Sequence, residues 1–148
     1  MQEWLDTSLP ENMKYSDIED AFVFLSMVSP HERYAYLNRE TGETYYVSKS
    51  DDLDESPDDL EGNDKYISIP HINDLNIGKN LVFDFISAKL PKESERVRKI
   101  FRGKGAYARF KTMLGSKGLL SGWYKFEKQA TEEALRRWCI ENNIILEG

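Results

Sequence analysis

Only one cysteine, Cys139, stands in the 148 residues, so no disulfide can form within the chain. That scarcity fits a reducing compartment, and the cytoplasm is the expected location. Beside Trp138 in a helical pattern, Cys139 reads as a small core residue rather than a nucleophile. Histidine is nearly absent too: His31 and His71 follow Pro30 and Pro70, and both read as turn residues. No window approaches the roughly 18 apolar residues that a membrane-crossing helix requires. No membrane partner is therefore expected. The opening stretch, MQEWLDTSLPENMKYSDIED, has no uninterrupted apolar run and does not read as a secretory leader. The first half also lacks basic residues. Residues 1–74 hold five Lys and Arg against eighteen Asp and Glu, a balance of −13. Residues 75–148 hold fifteen against eight, a balance of +7.

What is present describes a globular chain. The hydrophobic share of 40% is too high for a chain disordered throughout. The length suits a single domain, 1–148, with a real core. Residues 1–14 show no period and read as an irregular lead-in, which either docks on the core through Trp4 and Leu5 or frays. Ser16 with Glu19 has the spacing of a capping box, and Ile18, Phe22 and Leu25 follow at helical steps until Pro30. Residues 33–48 read as a hairpin around Asn38-Arg39-Glu40-Thr41-Gly42. Residues 49–64 are half acidic, eight of sixteen, and predict a solvated, mobile loop. Residues 65–70 predict a third, edge strand ending at Pro70.

Helices follow. Asn73, Asp74 or Asn76 is the expected cap of a segment through Ile77, Leu81, Phe85 and Ile86. Pro91 opens the next, for which Gly103 is the expected left-handed terminator. A third covers about 106–114, and the last runs from near Trp123 to near Asn142. Its apolar stripe is Trp123, Phe126, Ala130, Ala134, Leu135 and Trp138. The expected fold class is α+β: an N-terminal helix, a small three-stranded antiparallel sheet and a helical C-terminal half.

Several blocks carry a resemblance. They are Tyr36-Leu37-Asn38-Arg39-Glu40-Thr41-Gly42-Glu43, Tyr66-Ile67-Ser68-Ile69-Pro70, Phe101 through Lys111, Gly118-Leu119-Leu120, Trp123-Tyr124-Lys125-Phe126, and Trp138 through Asn143. In these, and in their order from about residue 16 to 144, the chain resembles a family of small bacterial proteins known only as an uncharacterised protein family. The resemblance implies no activity, cofactor or residue role.

The strongest local signal is residues 96–126, basic, aromatic and punctuated by glycine. Gly103 and Gly105 lie between two predicted helices, ringed by Arg102, Lys104, Arg109 and Lys111. Glycines let a backbone approach an anion, and a helix start offers free N–H groups. The spacing of a P-loop is absent, however. The competing reading is a tight corner under a solvated basic surface. A DNA-reading helix–turn–helix is weakly supported, because Tyr107, Phe110 and Met113 should face the core. Aromatics alternate with cations here, as in single-strand binders, and Tyr124 is the best candidate for an exposed ring. The acidic stretch lacks the calcium-loop pattern; it could instead compete with an external polyanion for the basic helices.

No pair of carboxylates, no nucleophile with a base and no metal-ligand spacing stands out, so neither catalytic nor metal residues are assigned, and no cofactor. The expected function is a non-enzymatic binding protein. Its basic C-terminal helical face, with Arg102, Gly103, Lys104, Gly105, Arg109, Lys111 and Tyr124, contacts an anionic partner, nucleic acid first. The alternative is a small protein–protein interaction or adaptor domain that binds an acidic protein, with no nucleic-acid role.

Overall fold

A computed structural model of the protein describes residues 13–75 and 77–147. The expected lead-in, with Trp4 and Leu5, lies outside them up to residue 12, and so does Asn76. The fold is α+β. Its elements are α1 (Tyr15–Ser26), β1 (Arg33–Asn38), β2 (Thr44–Ser48), β3 (Leu53–Asp54), β4 (Tyr66–Ser68), α2 (Gly78–Lys89), α3 (Ser94–Ile100), α4 (Ala106–Ser116) and α5 (Leu120–Glu141). The chain gathers into two units. One comprises residues 1–75 together with 134–148, the other residues 76–133. Helix α5 gives its last turns to the first unit and the remainder to the second.

In the first unit, α1 buries Ile18, Ala21, Phe22 and Leu25, the stripe that its 3.6-residue period predicts. The capping box does not form. The helix begins at Tyr15, with Lys14 as N-cap and no side-chain cap. The Tyr15 hydroxyl donates to Glu19 Oε2 at 3.3 Å, which engages the carboxylate that Ser16 was expected to pair with.

The antiparallel sheet has the order β3-β2-β1-β4, four strands where three were expected. Strand β3 is only two residues long and sits among acidic neighbours, so composition hid it. It is held through the next residue: the Glu55 N–H donates to Tyr46 O at 2.9 Å, and Glu55 Oε1 accepts from the Tyr46 N–H at 3.0 Å. Along β1, Ala35 and Leu37 turn into the core, while Tyr34 and Tyr36 stack on the other face with centroids 6.3 Å apart. The hairpin turn is closed by buried Asn38, whose Oδ1 accepts from the N–H groups of Glu40 and Thr41. Ile18, Phe22 and Leu37 pack in one cluster with Leu135, Cys139 and Ile144. Trp138, expected as a core anchor, is half-buried against this cluster, and its neighbour Cys139 takes the interior position.

The second unit is helical. It follows a 3-10 turn, Ile72–Leu75, that closes the leading part of the first unit and is capped by Asp74, which accepts from the His71 N–H at 2.9 Å. Helix α2 itself starts only at Gly78, with Ile77 as N-cap. Pro91 opens a 3-10 turn, Pro91–Glu93, that leads into α3. Helices α2 to α5 surround an aromatic core. Trp123 stands edge-to-face with Phe85 and Phe110, at 5.4 and 5.1 Å between centroids. Val82, Val97 and Leu114 fill the space around them.

Candidate anion-binding face

The charge division of the sequence follows the structural division. The unit of residues 76–133 carries thirteen Lys and Arg against six Asp and Glu, a balance of +7. The remainder carries seven against twenty, a balance of −13. Like charges concentrated within one folded unit add their fields over its surface.

Five of the seven residues singled out from the sequence belong to the α3–α4 corner: Arg102, Gly103, Lys104, Gly105 and Arg109. Helix α3 ends at Ile100. Gly103 is not the left-handed residue expected; Gly105 is, at φ 66°, as N-cap of α4. A side chain at 103 would meet Arg109 instead. A Cβ there would stand 2.5 Å from Arg109 Nη2. That nitrogen donates to Lys104 O at 2.5 Å and to Ile100 O at 3.3 Å. Carbonyls at a helix end lack intrahelical donors, and a cation supplies what they need. Arg109 therefore locks the corner. Arg102 and Lys104 are exposed and make no ion pair with any described residue. Three other cations of this unit are paired: Arg96 and Lys117 with Glu93, and Arg98 with Glu95.

Lys111 and Tyr124 lie apart from that corner. Positions two residues apart on an α-helix point about 200° apart, so Lys111 leaves α4 on the side opposite Arg109. Its Nζ sits 5.5 Å from the Tyr124 ring centroid on α5, within the range of a cation–π contact. Glu127 lies close by. Burial pushes its carboxyl above the usual range, and the Lys111 charge counters that rise. Tyr107, one turn before Lys111, has its hydroxyl raised by burial first and by the Glu127 charge second.

Tyr107 was expected in the core at the same helical spacing as Phe110 and Met113. It is instead 44% exposed, with its ring edge-to-face against Phe101 at 5.0 Å. The three-residue step from Phe110 placed it at the margin of the apolar stripe. Tyr124 is 46% exposed, as its place off that stripe implies. The structure thus resolves the seven residues into a corner of five and a Lys111–Tyr124 pair, and it adds Tyr107 and Glu127 to the pair.

The acidic segment is more ordered than a solvated loop. Asp51 accepts from the Ser48 hydroxyl at 2.7 Å, Asp54 binds Ser56, and Asp59 meets both Lys65 at 3.0 Å and the Tyr66 hydroxyl at 2.6 Å. With Glu55 on Tyr46, half of its eight carboxylates are structural. The bonds from Tyr66 and Lys65 hold the Asp59 carboxyl below its ordinary range, and those from Ser56 do the same for Asp54.

One feature of the first unit was not visible in the sequence. His31 and His71, forty positions apart, line one cavity of about 190 Å³ with Arg33, Tyr34 and Asp74 over a floor of Ile69. His31 adopts φ 73°, a conformation that a side chain tolerates poorly. The His71 ring is engaged at both nitrogens, Nε2 with Val28 O at 2.9 Å and Nδ1 with the Asn73 N–H at 3.1 Å. Among the described residues, no group of three or more His, Cys, Asp or Glu is arranged to hold a metal ion. No helix among them is long and apolar enough to cross a membrane. No family model, curated protein or solved structure matches the chain.

Proposed function

We propose that the protein is a non-enzymatic binding protein whose basic unit, residues 76–133, contacts a polyanion, with nucleic acid as the leading partner. The observation that supports this most is the coincidence of the +7 balance with one folded unit. Charges scattered for solubility have no reason to respect a structural boundary, whereas a phosphate backbone is bound by a concentration of Lys and Arg on one body. Arg102 and Lys104, exposed beside the α3–α4 corner and in no ion pair with a described residue, are free to meet phosphates. Arg109 serves indirectly by holding that corner closed. The single buried cysteine and the resemblance to a bacterial family favour the bacterial cytoplasm as the setting.

A second reading draws on the same numbers. A chain with a −13 and a +7 unit is complementary to another copy of itself, and an adaptor role would use that complementarity. Salt-dependent retention on heparin and filter binding to DNA and RNA decide between the two, with the mass in solution measured at the same low salt. Binding that weakens steeply with salt, by a monomer, is the expected result. No binding to any polyanion at about 50 mM salt, where screening is weak, overturns the polyanion reading. A dimer or larger assembly under those conditions would then favour the adaptor.

A further inference from the structure

The described chain exposes six large hydrophobic side chains. Val23, Met27, Ile140 and Ile145 belong to the acidic unit and are aliphatic or thioether. The two in the basic unit, Tyr107 and Tyr124, are both aromatic. They are also tied to each other. Lys111, one helical turn beyond Tyr107, has its ammonium at the Tyr124 ring, and Glu127 interacts electrostatically with both Tyr107 and Lys111. A charged carboxylate beside Lys111 offsets its charge, so the centre of this face offers ring surface more than net charge. Lys128, one helical turn beyond Tyr124, is exposed, and so is Lys125 next to Tyr124 in the chain.

We infer that this α4–α5 face takes single-stranded nucleic acid, with unpaired bases stacking on Tyr107 and Tyr124 and phosphates meeting these exposed lysines. The inference rests on the polyanion reading and narrows it to one class. A duplex buries the flat faces of its bases and would offer these rings only its charged exterior. A single strand offers both bases and phosphates, and stacking of a base on an aromatic side chain tolerates any sequence. The ring needs one open face, and Lys111 covers no more than the other.

The test is an anisotropy titration with a labelled oligothymidine, a labelled duplex of equal length and heparin, for the full chain and for Tyr124→Ala, Tyr124→Phe and Lys111→Gln. Circular dichroism of each variant reports its fold. The oligothymidine is expected to bind more tightly than the duplex. Tyr124→Ala should weaken oligothymidine binding roughly 5- to 100-fold, the loss of about one stacked base. It should leave heparin binding and the salt slope unchanged, and Tyr124→Phe should retain most of the affinity. Equal affinity for duplex and single strand, or a Tyr124→Ala variant that binds oligothymidine like wild type, overturns the single-strand inference while leaving the polyanion reading intact. Failure to bind oligothymidine, duplex or heparin sinks both.

Discussion

The guanidinium of Arg109 occupies the space that a side chain at residue 103 would need: a Cβ on Gly103 would lie 2.5 Å from Arg109 Nη2. Gly103→Ala must therefore displace Arg109 from the carbonyls of Ile100 and Lys104. The expected cost is about 1 kcal/mol, since a charged group loses bonds at an exposed site. Arg109→Ala should cost a similar amount, and the double variant little more than either single one, because both break the same contact. Strictly additive losses in urea denaturation would show that the two residues act separately. Gly105→Ala provides the contrast. Nothing lies within 4 Å of a Cβ there, but φ is 66°, so it should cost about 1 kcal/mol through the backbone alone and add fully to Arg109→Ala.

Trp123 and Trp138 should differ sharply. Trp123 is 1% exposed among Phe85, Phe110 and Phe126. Trp123→Ala should cost roughly 3–5 kcal/mol through the cavity it leaves. Its Nε1 is buried with no partner among the described residues, so Trp123→Phe gives up no hydrogen bond and should cost much less. Trp138→Ala, at a half-buried site, should fall below Trp123→Ala. The order of the denaturation midpoints checks the three, and a larger loss at 138 would reverse the assignment of the two anchors.

Burial pushes the Cys139 thiol from its ordinary 9.0 up to about 11, with nearby Arg136 pulling slightly the other way. The folded state thus holds this proton more tightly than the unfolded chain. The stability this gives is complete below pH 9 and is lost as pH rises from about 9 to about 11, by on the order of 2 kcal/mol. A Cys139→Ala variant should lose that part of the alkaline slope. The native thiol should also resist a thiol-specific reagent at pH 8 and react on unfolding, and rapid labelling of the native protein would contradict its burial.

Glu127 gives a prediction at the other end of the scale. Its carboxyl is raised by burial, so ionising it opposes folding, and Lys111 reduces that opposition. Lys111→Met should raise the folded carboxyl further. The variant should then lose more stability than wild type as pH rises through the carboxyl's raised range toward neutrality. Parallel stability curves for wild type and variant between pH 4 and 7 would show that the two groups do not interact.

The acidic segment divides into carboxylates with structural partners and those without. Asp52, Asp58, Glu61 and Asp64 accept no hydrogen bond from a described residue. Changing these four to amides should leave the melting temperature within a degree or two and strengthen polyanion binding by removing four negative charges from the molecule. Changing Asp51, Asp54, Glu55 and Asp59 instead should lower the melting temperature. Equal melting temperatures for the two sets would contradict the division.

Much of the fold was legible because its signals are local. The stripe Ile18, Phe22, Leu25 and the alternation of Ala35 and Leu37 with tyrosines follow from helical and strand periods alone. The turn at Asn38 follows from a side chain that bonds its own backbone. What escaped depends on distant partners. Glu19 was read as capping Ser16, but a hydroxyl at Tyr15 engages it. Gly103 was read as a φ-driven terminator, but its constraint comes from a guanidinium six residues on. The candidate face shows the same limit. Charge and exposure were readable at Arg102, Lys104 and Tyr124, and the opposite outlooks of Arg109 and Lys111 follow from helical spacing, whereas the bonds of Arg109, the approach of Lys111 to Tyr124 and the cavity that His31 and His71 share needed coordinates.

The basic unit is an insertion: the chain leaves the first unit after Leu75 and returns to it at Ala134. Leu135, Cys139 and Ile144 belong to the same cluster as Ile18, Phe22 and Leu37. On a ribosome, the earlier residues therefore lack part of their own interior until residues 135–144 have emerged. The inserted helices have all their core residues by then and can consolidate first. The order of maturation is thus inverted relative to the order of synthesis, and the half made first is the half that must wait.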